Sequence, residues 1–249
     1  MRYLISCLIL PVLLSTLHAD DGTTVKAILD KAIEAQVGSS ENLGKLRRIE
    51  SLAKGTMKSP MGELIATREI LVQWIEKPEK FRLRVGMELT DGKRTVQLLF
   101  DDLNKGFRRV GPASEEMSIE EVRWISRDIY ASWIATLLPL KESSFTLTAL
   151  PEIKIDGVPQ VGLKVEKKLR PTIELYFDAK TSLLTRMTYI GLEAGVDVKK
   201  EFRFSNYKEF DKVMLPTKEI EQHDGRKRNE WTISSYRFPE KIDPKEFEQ

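Results

Sequence analysis

Arg170–Ile190 reads RPTIELYFDAKTSLLTRMTYI, and the fold follows from it. Ile173, Leu175 and Phe177 alternate with Thr172, Glu174 and Tyr176. A period of two marks a strand with one face buried. Asp178-Ala179-Lys180-Thr181-Ser182 is polar and turn-prone, and too long for a two-residue hairpin loop. The chain then resumes as a strand over Leu184–Ile190. Two strands are not stable alone in water, so the remaining sequence must supply more sheet and a cover for it.

Further strand signals lie on both sides. Lys45–Lys58 and Glu63–Glu76 flank the turn Ser59-Pro60-Met61-Gly62. In the second of these, Leu64, Ala66, Ile70, Val72 and Trp74 share one face, with Arg68 as the exception. Ile65, Leu71 and Ile75 lie on the other face, so both sides of this strand carry apolar residues. Pro78–Val85, Thr95–Phe100 and Phe107–Val110 follow, separated by turns at Asp91-Gly92 and Asp101–Gly106. Short consecutive strands with tight connections predict antiparallel neighbours. Strands are also expected at Phe145–Leu150, Gln160–Lys167, Val198–Tyr207, Val213–Gln222 and Asn229–Phe238. Asp224-Gly225 is the strongest hairpin signal in the chain.

Two segments have helical periodicity instead. In Thr24–Gln36, Val25, Ile28, Leu29, Ala32 and Ile33 form a stripe, and Gly38-Ser39-Ser40 stops it. In Ser118–Leu138, Ser118 and Glu121 form an S-x-x-E capping box. Its stripe is Ile119, Val122, Ile125, Ile129, Trp133 and Leu137, widened by Trp124, Tyr130, Ile134 and Leu138. Pro139 is expected to end the helix. A large twisted sheet curls. The expected fold class is therefore α+β and mainly β: a curved antiparallel sheet with two amphipathic helices on its concave side.

Residues 1–19 differ in kind. Arg2 precedes the almost wholly apolar Leu4–Leu14, and Leu17-His18-Ala19 is a small-residue cleavage site before Asp20-Asp21. Roughly 11 apolar residues fall short of the ~20 a membrane-spanning helix needs. This segment reads as an export signal cleaved after about Ala19, with 20–249 as one domain, since no Pro/Gly/Ser-rich linker divides it. Cys7, the only cysteine, leaves with the signal, and His223 is then the only histidine. An exported chain without disulfides must rest on its core.

The chemical inventory is thin. A net charge of +2, from 40 basic and 38 acidic residues without a long like-charged block, argues against nucleic-acid binding. One histidine and no mature cysteine exclude Cys/His zinc sites and disfavour a Ser-His-Asp triad. No phosphate-binding glycine motif is present, and neither a cofactor nor a metal is expected. Asp101-Asp102, Glu115-Glu116 and Glu120-Glu121 lie in turns or at a helix start, where acids are favoured without catalysis. The expectation is a protein that is not an enzyme. Arg226-Lys227-Arg228 follows a hairpin turn and reads as a solvated turn, with contact to an anionic lipid or acidic partner as the sharper alternative. The aromatics carry more. Trp74, Phe81, Phe100, Trp133, Phe177, Phe202, Phe204 and Trp231, with Leu83, Ile125, Ile129 and Leu137, fall on inward strand faces or the helix stripe. They read as ordinary core or as the lining of a groove that accepts an acyl chain.

Four local features resemble the superfamily of periplasmic lipoprotein carriers that includes LolA, LolB and the LppX-type lipid binders. These are the signal followed by a short amphipathic helix, the strand lead Lys77-Pro78-Glu79-Lys80-Phe81-Arg82, the strand-turn-strand Tyr176–Met187, and the late break Leu215-Pro216-Thr217. The resemblance spans nearly the whole mature chain. It implies an unclosed β-barrel with helices in its mouth, a hydrophobic cavity for lipid or lipoprotein acyl chains, membrane-bound donor and acceptor partners, and a monomer in the periplasm. An acyl chain of ~16 carbons needs on the order of 12 kcal/mol of apolar shelter to leave a membrane. The alternative is a non-catalytic envelope interaction or sensing module on the same fold.

Overall fold

The computed structural model describes residues 21–59, 62–75, 81–89, 95–101 and 105–248. The segment 1–19 read as an export signal, the turn residues Pro60 and Met61, most of the Lys77–Arg82 strand lead, and the turns expected at Asp91-Gly92 and 102–104 lie outside them.

Among the described residues, thirteen strands form one antiparallel sheet. In chain order they are β1 (Arg48–Ser59), β2 (Gly62–Trp74), β3 (Phe81–Leu89), β4 (Thr95–Asp101), β5 (Gly106–Val110), β6 (Ala113–Glu116), β7 (Thr146–Ile155), β8 (Val158–Glu166), β9 (Ile173–Asp178), β10 (Leu184–Glu193), β11 (Val196–Phe210), β12 (Val213–His223) and β13 (Arg226–Arg237). Helix α1 spans Asp21–Val37 and helix α2 spans Ile119–Ala135. The spatial order is β6-β5-β4-β3-β2-β1-β13-β12-β11-β10-β9-β8-β7. The sheet is thus two meanders, β1–β6 and β7–β13, joined only where β1 meets β13. Its two free edges, β6 and β7, are the strands that flank α2 in sequence, so the α2 segment carries the chain from one edge to the other.

The join needs a glycine. A Cβ on Gly55 of β1 would stand 2.0 Å from the Glu230 carbonyl oxygen and 2.8 Å from the Trp231 ring. No other residue allows that approach without displacing β13. At the far end of β13, Asp224 and Gly225 both have positive φ, 46° and 76°, as a two-residue type I′ hairpin requires.

The core is one large cluster between the concave face and the helices. Ile173, Leu175 and Phe177 are all buried in it, as their alternation predicts. Leu29, Ala32, Ile33 and Val37 of α1 join from above β7, β8 and β12. Val122, Ile129, Tyr130, Ala131, Trp133 and Ile134 of α2 join from above β9 and β10.

Several boundaries differ from the sequence reading. Residues 45–47 end a 3₁₀ helix, Ser40–Arg47, rather than beginning β1. Leu46 is fully buried there, an apolar residue that alternation alone cannot assign to strand or turn. Helix α2 stops at Ala135, short of Pro139, because Leu137 adopts a left-handed conformation with φ 60°. Pro139 instead opens a short 3₁₀ helix, Leu138–Lys141. Ile119, placed on the helix stripe by its spacing, is 63% exposed in the first turn. Strand β6, Ala113–Glu116, has no sequence signal: all four residues are exposed, and pairing to β5 alone makes it a strand.

Candidate functional site

The concave face divides into an aromatic region under the helices and a charged strip beyond it. Strand alternation builds both. On β2, Trp74, Val72, Ile70, Arg68 and Ala66 face inward in succession, opposite Phe81, Leu83, Val85, Met87 and Leu89 of β3. Leu83 in turn faces Phe100 of β4. On β10 and β11, Met187, Tyr189 and Gly191 stand opposite Phe202, Lys200 and Val198.

Trp133 of α2 is the node of the aromatic region. Its ring lies 6.5 Å from Trp74, 6.3 Å from Tyr130 and 5.9 Å from Phe145, and Trp74 lies 5.9 Å from Phe81. Such pairs add about 0.5–1.5 kcal/mol each beyond their buried area. The Trp74 Nε1 is buried and makes no hydrogen bond among the described residues. A second aromatic row runs from buried to partly exposed: buried Tyr189 stacks on Phe202 at 6.0 Å, and Phe202 on Phe204 at 6.5 Å.

Of the twelve residues expected to line one groove, Trp74, Phe81, Leu83, Phe100, Ile129, Trp133, Leu137 and Phe177 are buried together in the main cluster. Ile125, Phe202 and Phe204 pack against it while remaining partly accessible. Trp231 does not join them. It sits in a separate small cluster with Ala53, Ala66 and Ile233. The Arg68 guanidinium lies 4.5 Å above the Trp231 ring and pairs with Glu219 of β12 at 3.1 Å. That ion pair covers the Trp231 ring. Phe145 and Tyr130 belong to the aromatic node but not to the expected lining. Tyr130 was on the widened helix stripe, while Phe145 sits just before β7, where alternation does not report its direction.

The charged strip fastens α2 to the sheet. Asp128 of α2 accepts hydrogen bonds from Lys200 Nζ of β11 at 2.6 Å and from Tyr189 Oη of β10 at 2.9 Å. Lys200 is buried. Burial pushes the Asp128 carboxyl above its ordinary value, against the opposing pull of Lys200 and Tyr189. Arg127 pairs with Asp197 at 3.0 Å, one turn edge further along β11. At the helix start, the capping box predicted from sequence is present, and Arg108 of β5 adds a hydrogen bond to Glu121 at 2.7 Å. Arg108, with the Ser118 amide and hydroxyl, lowers the Glu121 pKa to about 2. The strip ends at His223, whose ring nitrogens lie 2.9 Å from Glu193 and 2.7 Å from Glu221. Burial of the ring opposes its charge, but the two carboxylates outweigh burial and raise its pKa.

None of these groupings is a metal centre: no cluster of three or more His, Cys, Asp or Glu side chains suited to an ion occurs among the described residues. No described helix is long and apolar enough to cross a membrane.

No family model and no curated protein sequence matches the chain. Solved structures do. A domain from Vibrio parahaemolyticus described as outer membrane lipoprotein-sorting aligns over 91% of this chain and 97% of its own, with a TM-score of 0.57 and 12% identity. A LolA superfamily protein from Nitrosomonas europaea aligns over 90% and 97%, again at 0.57 and 12%. A DUF1329 family protein from Desulfovibrio piger aligns over 90% and 97%, at 0.60 and 13%. At such identities the likeness is one of fold. The chain shares with these structures an unclosed, barrel-like antiparallel sheet covered by helices, the fold that the sequence resemblance implied.

Proposed function

We propose that this protein is an exported, non-catalytic carrier that shelters an acyl chain of a lipid or lipoprotein on the concave face of its sheet. The observation that carries the reading is the continuity of Phe202 and Phe204, partly exposed, with the buried apolar cluster beneath α2. An acyl chain laid on these rings would extend into that cluster, which α1 also covers, as the helical cover lifts. The buried aromatics are packed against one another, so entry requires movement of the cover rather than filling of a rigid hole. A carrier built this way has a cover less stable than its sheet. An export signal at 1–19 would deliver such a carrier to the periplasm, where a membrane-bound donor and acceptor would load and unload it.

The test is native mass spectrometry of protein purified gently from the envelope, with organic extraction of the same sample, beside uptake of a fluorescent fatty acid. A bound mass that extracts as lipid, and probe uptake reduced by Phe202→Gln and Phe204→Gln, is the expected result. A clean unliganded mass with no probe uptake overturns the reading and favours an interaction module on the same fold.

A further inference from the structure

A pocket of about 460 Å³ opens where the β12–β13 turn meets the ends of β1 and β10. It is lined by Lys58, Glu193, Val198, His223, Asp224, Arg226, Lys227 and Arg228. Four of the eight are permanent cations, and the two acids are already engaged. Glu193 accepts from Arg228 at 2.8 Å and contacts His223 at 2.9 Å. Asp224 Oδ1 accepts the Lys199 backbone amide at 3.1 Å, while the Asp224 amide donates to the Lys199 carbonyl at 2.9 Å. Lys227 is paired with Glu230 at 2.8 Å. The side chains of Lys58 and Arg226 make no ion pair or hydrogen bond among the described residues, and both are exposed. The pocket therefore holds two uncommitted cations beside acids whose charge is already met.

The frame around them is rigid. The tight Asp224-Gly225 turn is tied back to β11 through both Asp224 contacts, and Arg228 is held across to β10 by Glu193. A backbone already held in place leaves only the Lys58 and Arg226 side chains to be ordered on binding an anion. Arg and Lys donors are suited to the oxygens of a phosphate group, Arg in a two-pronged geometry.

We propose that this pocket is a binding site for a phosphate group, held by Lys58 and Arg226. The group could be carried by a lipid headgroup or be free in solution, and either source presents the same oxygens. The site is distinct from the aromatic region and stands whether or not the concave face shelters an acyl chain.

The experiment compares the wild-type chain with a Lys58→Glu/Arg226→Glu variant and with Lys154→Glu/Lys168→Glu. The second pair makes the same charge change at exposed positions on β7 and just after β8, near the β7 edge of the sheet and outside the pocket lining. Binding is measured by calorimetry with inorganic phosphate at constant ionic strength, and by co-sedimentation with phosphatidylglycerol or phosphatidylcholine vesicles. The expected result is binding to phosphate, to the anionic vesicles, or to both, weakened about tenfold or more in the pocket variant and unchanged in the control. Binding to vesicles alone assigns the group to a lipid headgroup, and binding to phosphate alone to a soluble compound. Absence of binding by the wild type, equal loss in both variants (a general effect of net charge), or unchanged binding in the pocket variant overturns the proposal.

Discussion

Helices α1 and α2 have the same length and cover the same sheet, but they are held differently. Helix α1 rests on Leu29, Ala32, Ile33 and Val37, and its ion pairs are superficial: Lys26 with Asp30 along its own surface, and Asp30 with Lys141 at 4.0 Å. Helix α2 has a comparable apolar face and adds polar ties at its start, middle and side, through Arg108–Glu121, Lys200–Asp128 and Arg127–Asp197. Apolar contact is non-directional and lets a helix slide or lift by degrees. A buried hydrogen-bonded ion pair has a narrow geometry, and leaving it strands a charge. The difference makes α1 the cover that moves at least cost and α2 the one that stays in register.

The apolar parts of the two helices should be equivalent. Ile134→Ala in α2 and Ile33→Ala in α1 each empty a fully buried site, and each is expected to lose about 2–5 kcal/mol in urea unfolding. A negligible loss at Ile33 would remove the premise that α1 is held by its core face at all.

The ionic parts should differ. Asp128→Ala leaves Lys200 buried without its partner and is expected to cost about 2–3 kcal/mol, toward the lower end because the Asp128 side chain is one-third exposed. Adding Lys200→Met should recover most of that loss. Asp30→Ala in α1 should leave the unfolding midpoint within error, because its partners are exposed. Equal effects at Asp128 and Asp30 would erase the distinction between the helices.

A smaller effect is expected at the start of α2. Ser118→Ala removes the cap hydrogen bond and should cost about 1 kcal/mol. Glu121 is depressed in the folded chain, so its stabilising contribution is present above its unfolded value near 4.5 and is lost as pH falls toward about 2. Arg108→Ala should reduce that acid sensitivity, measured as the slope of stability between those values.

The smallest effect lies at the strip's end. His223 is raised in the folded chain, so its contribution is complete below the unfolded value near 6.5 and fades as pH rises through the higher folded value. Its surroundings include Glu193, Glu221, Lys200 and Arg228. His223→Gln should flatten stability against pH above 6.5, as followed by thermal unfolding at fixed ionic strength. An unchanged profile would show that the two carboxylates do not hold the protonated ring.

Much of this was legible in the chain because it is local. The alternation through Ile173, Leu175 and Phe177, the Ser118–Glu121 box and the Asp224-Gly225 turn each involve residues a few positions apart, and each occurs as read. Arg68 could be recognised as the one charge on an apolar face, but not as the residue that would cap Trp231. Its partner Glu219 lies 151 positions away, and their meeting depends on the strand order between them. Inward alternation groups Trp231 with the other inward aromatics, while the strand order seats it in a separate small cluster with Ala53, Ala66 and Ile233.

The sequence alone determined every strand but β6, the two amphipathic helices and the antiparallel pairing of neighbouring strands, because backbone sterics, side-chain period and turn chemistry act between near neighbours. Only the tertiary structure decided that β1 pairs with β13 through Gly55, that Lys200 rises to meet Asp128, and that Lys58 and Arg226 face one pocket. Each of these unites residues remote in the chain, and their energies arise only once a single sheet order has brought them within contact distance.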